Sequence, residues 1–166
     1  DGAANNLKVG DVLLFVSEER QVNASSTKWD MRRVAAVQVD ADKNRTRVTL
    51  NSGLVDVNPA GQPAVKPKVY AMRLRASLFG YNAPDPKLLT ADARTLFGSF
   101  ITGTNEGMRW NYAIDTANRV VFLDGAYPTI LAGSWVVLSE PDNVALYKVQ
   151  SVSESSQSAY ALSGKS

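Results

Sequence analysis

No apolar run in this chain approaches the roughly 20 residues of a membrane-spanning helix. Short β-branched and aromatic segments are instead punctuated by Gly, Pro, Asn and Asp, which favours strands joined by tight turns. Gly10-Asp11 leads into Val12-Leu-Leu-Phe-Val16, a strand expected to be buried. Glu18–Lys28 is polar and reads as a loop. A second strand is expected over Arg32–Val39, with Arg33, Ala35, Val37 and Val39 on one face. Ala41-Asp-Lys-Asn44 has hairpin-turn composition. Arg45–Leu50 then returns with Thr46, Val48 and Leu50 on one face and Arg45, Arg47 and Thr49 on the other, the period of a half-solvated sheet.

Asn51–Pro67 is rich in turn formers, with Pro59, Pro63 and Pro67, and is the best boundary in the chain. Lys68–Ala76 reads as a strand, placing Tyr70, Met72 and Leu74 inward and Arg73 and Arg75 outward. Asp85 is placed to cap a helix with Pro86 at its first position, where the missing N–H costs nothing. Leu88, Leu89, Ala93, Leu96 and Phe97 follow at three- and four-residue spacings. Met108–Ile114 alternates strictly, which predicts a strand with Trp110 and Tyr112 in the core. Asp115–Asn118 is its turn and Val120–Leu123 its partner; Asp124-Gly125 is another turn.

Gly10–Glu18 resembles Gly133–Glu140 after a one-residue deletion. Downstream, Arg33-Val-Ala-Ala-Val37 matches Lys148-Val-Gln-Ser-Val152, and Arg45–Leu50 has a counterpart near Ala159–Ser163. Duplication and the shared punctuation of any two β meanders both account for this. The expected fold is mainly β, as small β-barrel or sandwich modules, with duplication as an option. A first β subdomain spans 1–58, a Pro/Gly-rich connection 59–67, and a second β subdomain 68–166 with a helical insertion near 85–98. The halves can also pack as one unit. A start without Met and an end just after an expected strand suggest a fragment of a larger polypeptide.

The chain has neither cysteine nor histidine, which excludes disulfides, thiol nucleophiles and His-based acid–base chemistry within it. Serines therefore lack a histidine base, and Ser163-Gly-Lys165-Ser166 lacks the glycine spacing of a phosphate loop. The carboxylates Asp40, Asp42, Glu18, Glu19 and Asp124 sit where turns and solvated loops use them. No catalytic residue, cofactor or metal ligand is expected. The net charge of +2 gives little long-range attraction for nucleic acid. Lys66, Lys68, Arg73 and Arg75 form the one basic concentration and, with Phe79, Tyr81 and Asn82, are candidate protein-contact residues. Trp29, expected to be exposed, and Tyr127 are candidate ligand-contact residues, with carbohydrate as the ligand.

Leu7–Phe15, Trp29 with Arg32-Arg33-Val34, Tyr70–Pro84 and Val121–Gly125 together resemble a domain of large baseplate assembly proteins in the phage-tail-like contractile injection systems of bacteria. The resemblance covers most of the chain. Where that family often reads Leu-Phe-Gly-His-Asn-Ala-Pro, this chain has Tyr81 in place of the histidine. The resemblance implies a non-enzymatic structural or assembly role through protein–protein contacts. Its partners would be other domains of a parent chain and neighbouring baseplate proteins, without membrane insertion. It would be made in the bacterial cytoplasm and end in a virion-like or extracellular particle. The competing expectations are a carbohydrate- or host-surface-binding module and a hydrolase using carboxylates.

Overall fold

A computed structural model of the chain describes residues 5–54, 66–112, 114, 117–140 and 143–166. The fold is mixed, built of small antiparallel sheets with minor helical content. It divides into two compact units, Asp1–Arg75 and Ala76–Ser166.

The first unit contains β1 (Val12–Val16), α1 (Glu18–Val22), β2 (Trp29–Asp40), β3 (Arg45–Leu50) and β4 (Lys68–Met72). They form one antiparallel sheet in the order β3-β2-β1-β4. With a neighbour on each side, β1 has its peptide groups paired and its aliphatic side chains covered. Leu14 and Val16 are fully buried, and with Leu13 and Val34 they make the core of this unit. Each such side chain contributes about 1.5–3 kcal/mol relative to exposure. β3 and β4 are the edges, so among the described residues the expected barrel is an open sheet.

Four local expectations change here. The polar stretch after β1 begins as a helix, because the Ser17 hydroxyl accepts the Arg20 N–H at 3.2 Å and Glu18 and Glu19 occupy the first turn. A helix of five residues is too short to show a period. In β2 the register shifts between Val34 and Ala36, and this bulge breaks the single face expected for Arg33, Ala35, Val37 and Val39. Arg33 and Ala35 are exposed before and at the bulge beside the buried Val34, whereas Val37 beyond it is half-buried. β4 stops at Met72, which leaves Leu74 exposed rather than inward. Finally, β4 pairs with β1 from Val12↔Met72 to Val16↔Lys68, so it belongs with the first unit and does not open the second. Of the Pro/Gly-rich connection, residues 59–65 lie outside the described residues. The β2–β3 hairpin agrees with its sequence, including the alternation of β3.

The second unit begins with a 3-10 turn, Pro86–Leu88, capped by Asp85, whose carboxylate accepts the Lys87 N–H at 2.9 Å. Next come α2 (Ala91–Leu96), capped by Thr90, and a second 3-10 turn, Gly98–Phe100. Leu89, Ala93 and Phe97 are half-buried, whereas Leu88 and Leu96 are 82% and 75% exposed. The strands are β5 (Ile101–Thr102), β6 (Arg109–Trp110), β7 (Trp135–Glu140), β8 (Asn143–Lys148), β9 (Ser156–Ala159) and β10 (Leu162–Lys165). They pair two by two: β5 with β6, β7 with β8, and β9 with β10.

Among the described residues the alternation over Met108–Ile114 yields β6, which pairs with β5. Leu123, from the expected partner strand, bridges to Leu78. Trp110 is buried as expected, but Tyr112 is largely exposed. Part of the expected turn, Asp115 and Thr116, lies outside the described residues. Trp110 is held by the neighbouring chain: its indole N–H donates to the Pro84 carbonyl at 2.7 Å.

The core of this unit gathers around Tyr160, at the tip of the β9–β10 hairpin. Tyr160 and Ala161 both have a φ of 58°, as a two-residue hairpin loop twisted to match its strands requires. Such loops usually carry Asn-Gly, so a tyrosine here is conformationally costly. Aromatic packing offsets that cost. The Tyr160 ring lies 5.0 Å from Tyr112, 5.2 Å from Phe100, 5.8 Å from Trp110 and 6.4 Å from Phe79, centroid to centroid. Ala159, Leu89, Phe97 and Ile101 complete the cluster.

The turns ahead of β1 and β7 share one hydrogen-bond pattern. Gly10 N–H donates to Val34 O at 2.9 Å, and Val34 N–H to Asp11 O at 2.8 Å. Gly133 N–H donates to Val149 O at 2.8 Å, and Val149 N–H to Ser134 O at 2.9 Å. In each turn the fourth residue's side chain accepts from the first residue's N–H: Asp11 from Lys8 at 3.0 Å and Ser134 from Leu131 at 3.3 Å. Gly10 and Gly133 have φ of 93° and 85°, the left-handed conformation of a glycine bulge.

Candidate functional site

The four basic candidates lie on the first unit and are not equivalent. The Arg73 guanidinium donates to Asp11 Oδ2 at 2.9 Å and to the carbonyls of Asn6 and Asn5 at 3.3 and 3.1 Å. It clasps the segment ahead of β1, a structural task that sequence did not reveal. Lys66 stands 3.8 Å from Glu18, while Lys68 and Arg75 are exposed and make no ion pair among the described residues. Trp29, expected to be exposed, is half-buried at the start of β2 opposite Val16.

The carboxylates weighed for chemistry have local work. Asp40 faces Lys43 and Arg45 at 3.4 and 3.3 Å. It borders an open groove at the β2–β3 tip, lined by Gln38, Val39, Asp40, Arg45, Thr46 and Arg47. Glu19 pairs with Lys28, which together with the Ser26 hydroxyl holds its carboxyl below the ordinary value of 4.5. Buried Asp30 pairs with Arg32 and accepts the Met31 N–H at 2.7 Å. Among the described residues no three His, Cys, Asp or Glu side chains gather as metal ligands, and no helix is long and apolar enough to cross a membrane. Lys165 lies 4.0 Å from Glu154, and the Ser166 hydroxyl accepts the Leu123 N–H at 2.8 Å, so the C-terminal Ser and Lys residues are held by separate partners.

The second unit brings together three side chains that sequence listed apart. Ser77–Phe79 runs beside Phe122–Asp124: Asp124 N–H donates to Ser77 O at 3.0 Å and Phe79 N–H to Phe122 O at 2.9 Å. From this ladder the chain turns tightly, with Tyr81 N–H donating to Leu78 O at 3.1 Å and Ala83 N–H to Gly80 O at 2.9 Å. Phe79, a candidate contact residue, points into the aromatic core, while Tyr81 is 62% exposed and Asn82 is exposed. On the facing turn, the Tyr127 hydroxyl donates to Asp124 Oδ1 at 2.6 Å, and the Ser77 N–H reaches the same oxygen at 3.3 Å. The bond to Asp124 raises the Tyr127 phenol above its ordinary 10.0, and Tyr81 is close enough to add to the rise.

The result is an exposed carboxylate, fixed in direction by Tyr127 and Ser77, with the exposed Tyr81 on the turn that follows the paired segment. Sequence marked Tyr81 and Tyr127 singly and read Asp124-Gly125 as a turn. The three-residue spacing from Asp124 to Tyr127 was the available signal. The arrangement offers a hydrogen-bond acceptor and aromatic side chains. Comparison with protein-family models, with curated proteins and with solved structures finds no match.

Proposed function

We propose that this chain is a non-enzymatic β module that acts through protein–protein contacts within a larger assembly, of the baseplate kind its sequence resembles. One observation carries the reading. Among the described residues eight apolar side chains are buried, against nineteen large ones that are exposed. Scattered exposed apolar residues are ordinary. Val22, Leu88 and Leu96 at 85%, 82% and 75%, however, make a poor economy for a free domain and a reasonable one for a module covered by neighbours. The matching turns before β1 and β7 support the further reading that the units are diverged copies of one module.

The test is affinity capture with the full-length parent protein from its native source, followed by identification of what is bound. Recovery of particle components is the expected result. Binding of a defined glycan by this chain with no particle component recovered would overturn the proposal in favour of a surface-binding module.

A further inference from the structure

We infer that the Tyr81–Asp124–Tyr127 patch is a receptor for a cationic side chain of a partner protein, an arginine guanidinium in particular. The inference rests on the contact-module reading and names the chemistry of one contact. Its first ground is a contrast among fixed carboxylates. Asp11, Asp30, Asp40 and Asp85 each accept a hydrogen bond from the backbone, and each also pairs with a lysine or arginine of its own unit. Asp124 is fixed more tightly than an ordinary surface acid, by Tyr127 at 2.6 Å and Ser77 at 3.3 Å, yet pairs with no cation among the described residues. Both of its hydrogen bonds fall on Oδ1, leaving Oδ2 to accept from outside.

The second ground is the aromatic flank. Tyr81 is 62% exposed on a loop closed by two turn hydrogen bonds, and that loop springs from Leu78, which bridges to Leu123, the residue before Asp124. A guanidinium can stack on an aromatic face while donating in its plane to a carboxylate, which an ammonium cannot do. Because both loops are held before any partner arrives, little ordering entropy opposes binding. A sugar would also use a ring and an acceptor, but it gains nothing from the negative charge of Asp124. Charge therefore decides between the two.

The experiment is an NMR titration of the 15N-labelled 166-residue chain with N-acetylarginine N-methylamide, alongside the neutral citrulline analogue of the same shape. The arginine probe is expected to move the amides of Tyr81, Asn82, Asp124, Gly125 and Tyr127, and the citrulline probe to leave them in place. Asp124→Asn keeps an acceptor for Tyr127 and Ser77 but removes the charge, and it should weaken the arginine response roughly three- to tenfold. Tyr81→Ala should weaken it by a similar factor. Equal shifts with citrulline, an unchanged response in Asp124→Asn, or movement of these amides by methyl N-acetylglucosaminide but not by arginine would each overturn the inference. Recovery of particle components by the parent protein does not depend on this result, so the two readings fail separately.

Discussion

Gly80→Ala isolates the packing of the second unit's core in one methyl group. Gly80 has a φ of 94°, so alanine there meets backbone strain of about 1–2 kcal/mol before any contact is considered. Its Cβ would then lie 2.5 Å from Tyr160 Cδ2, 3.0 Å from Tyr160 Cε2 and 3.2 Å from Tyr112 Cε1. Tyr160 cannot easily retreat, because Trp110 and Phe100 pack edge-on against its ring. Overpacking of this kind costs about 1–3 kcal/mol, for a total of about 2–5 kcal/mol. Two controls from the same unit divide the sum. Gly133 also has positive φ but open space where its Cβ would stand, so Gly133→Ala should show the strain alone, about 1–2 kcal/mol. Gly125 has open space and no positive φ, and its alanine variant should stay within about 0.5 kcal/mol. Urea denaturation followed at the Trp110 indole signal reads all three. At about 1–1.5 kcal/mol/M, Gly80→Ala should lower the midpoint by at least about 1 M. Equal losses for Gly80→Ala and Gly133→Ala would refute the argument, since Tyr160 would then not be a fixed wall.

Titration of the phenols tests the site's electrostatics. Tyr127, through its hydrogen bond to Asp124, and Tyr112, through desolvation, both ionise above 10.0. Because these folded values are raised, the stability they contribute is present below about pH 10 and is lost as the pH climbs through each folded value. Absorbance at 295 nm should show a late step that shrinks in Tyr127→Phe and moves to lower pH in Asp124→Asn; a late step unchanged in both variants would count against the Asp124 bond. Trp110→Phe removes the indole donor and leaves the Pro84 carbonyl without that partner, which should cost about 1–3 kcal/mol in urea denaturation followed by far-UV circular dichroism. A cost indistinguishable from zero would mean water replaces the bond. Leu88→Ser with Leu96→Ser should change stability by less than about 0.5–1 kcal/mol while reducing recovery of partner proteins by the parent chain, because both side chains already stand in solvent. A large loss of stability in the isolated chain would instead assign them to its own core.

Sequence was informative wherever the determinant was local. Gly10-Asp11 before β1, the turn Ala41–Asn44, the alternation of β3 and the Asp85-Pro86 helix start all depend on residues within one turn of each other, and all appear where expected. It failed where a partner far along the chain decided the outcome. The bulge in β2 lies in its pairing with β3 and parts Arg33 and Ala35 from the half-buried Val37 without changing the composition of the strand. Within Met108–Ile114, Trp110 and Tyr112 both pack on Tyr160, which lies about fifty positions away. For the candidate site, residue types were legible and their convergence was not. Asp124 is joined by a backbone ladder to Ser77–Phe79, the segment that turns into Tyr81, and nothing in the two sequences announces that pairing.

The same distinction explains what the two halves share. A glycine with positive φ, a side-chain acceptor after it and a valine opposite are all that the turn needs, and Lys8-Val-Gly-Asp11 and Leu131-Ala-Gly-Ser134 both supply them. Nothing in that local requirement fixes what lies beyond. β1 is enclosed by β2 and β4, whereas β7 pairs with β8 in a two-stranded ribbon, a form that is marginal in water unless something packs on it. Ancestry from one module would leave the locally coded turn intact in both copies and let the surrounding strands diverge with their neighbours. Under the assembly reading, the half with the thinner sheet is the half that depends more on its surroundings. That is also the half that carries Leu88, Leu96 and the carboxylate of Asp124, which has no cationic partner among the described residues.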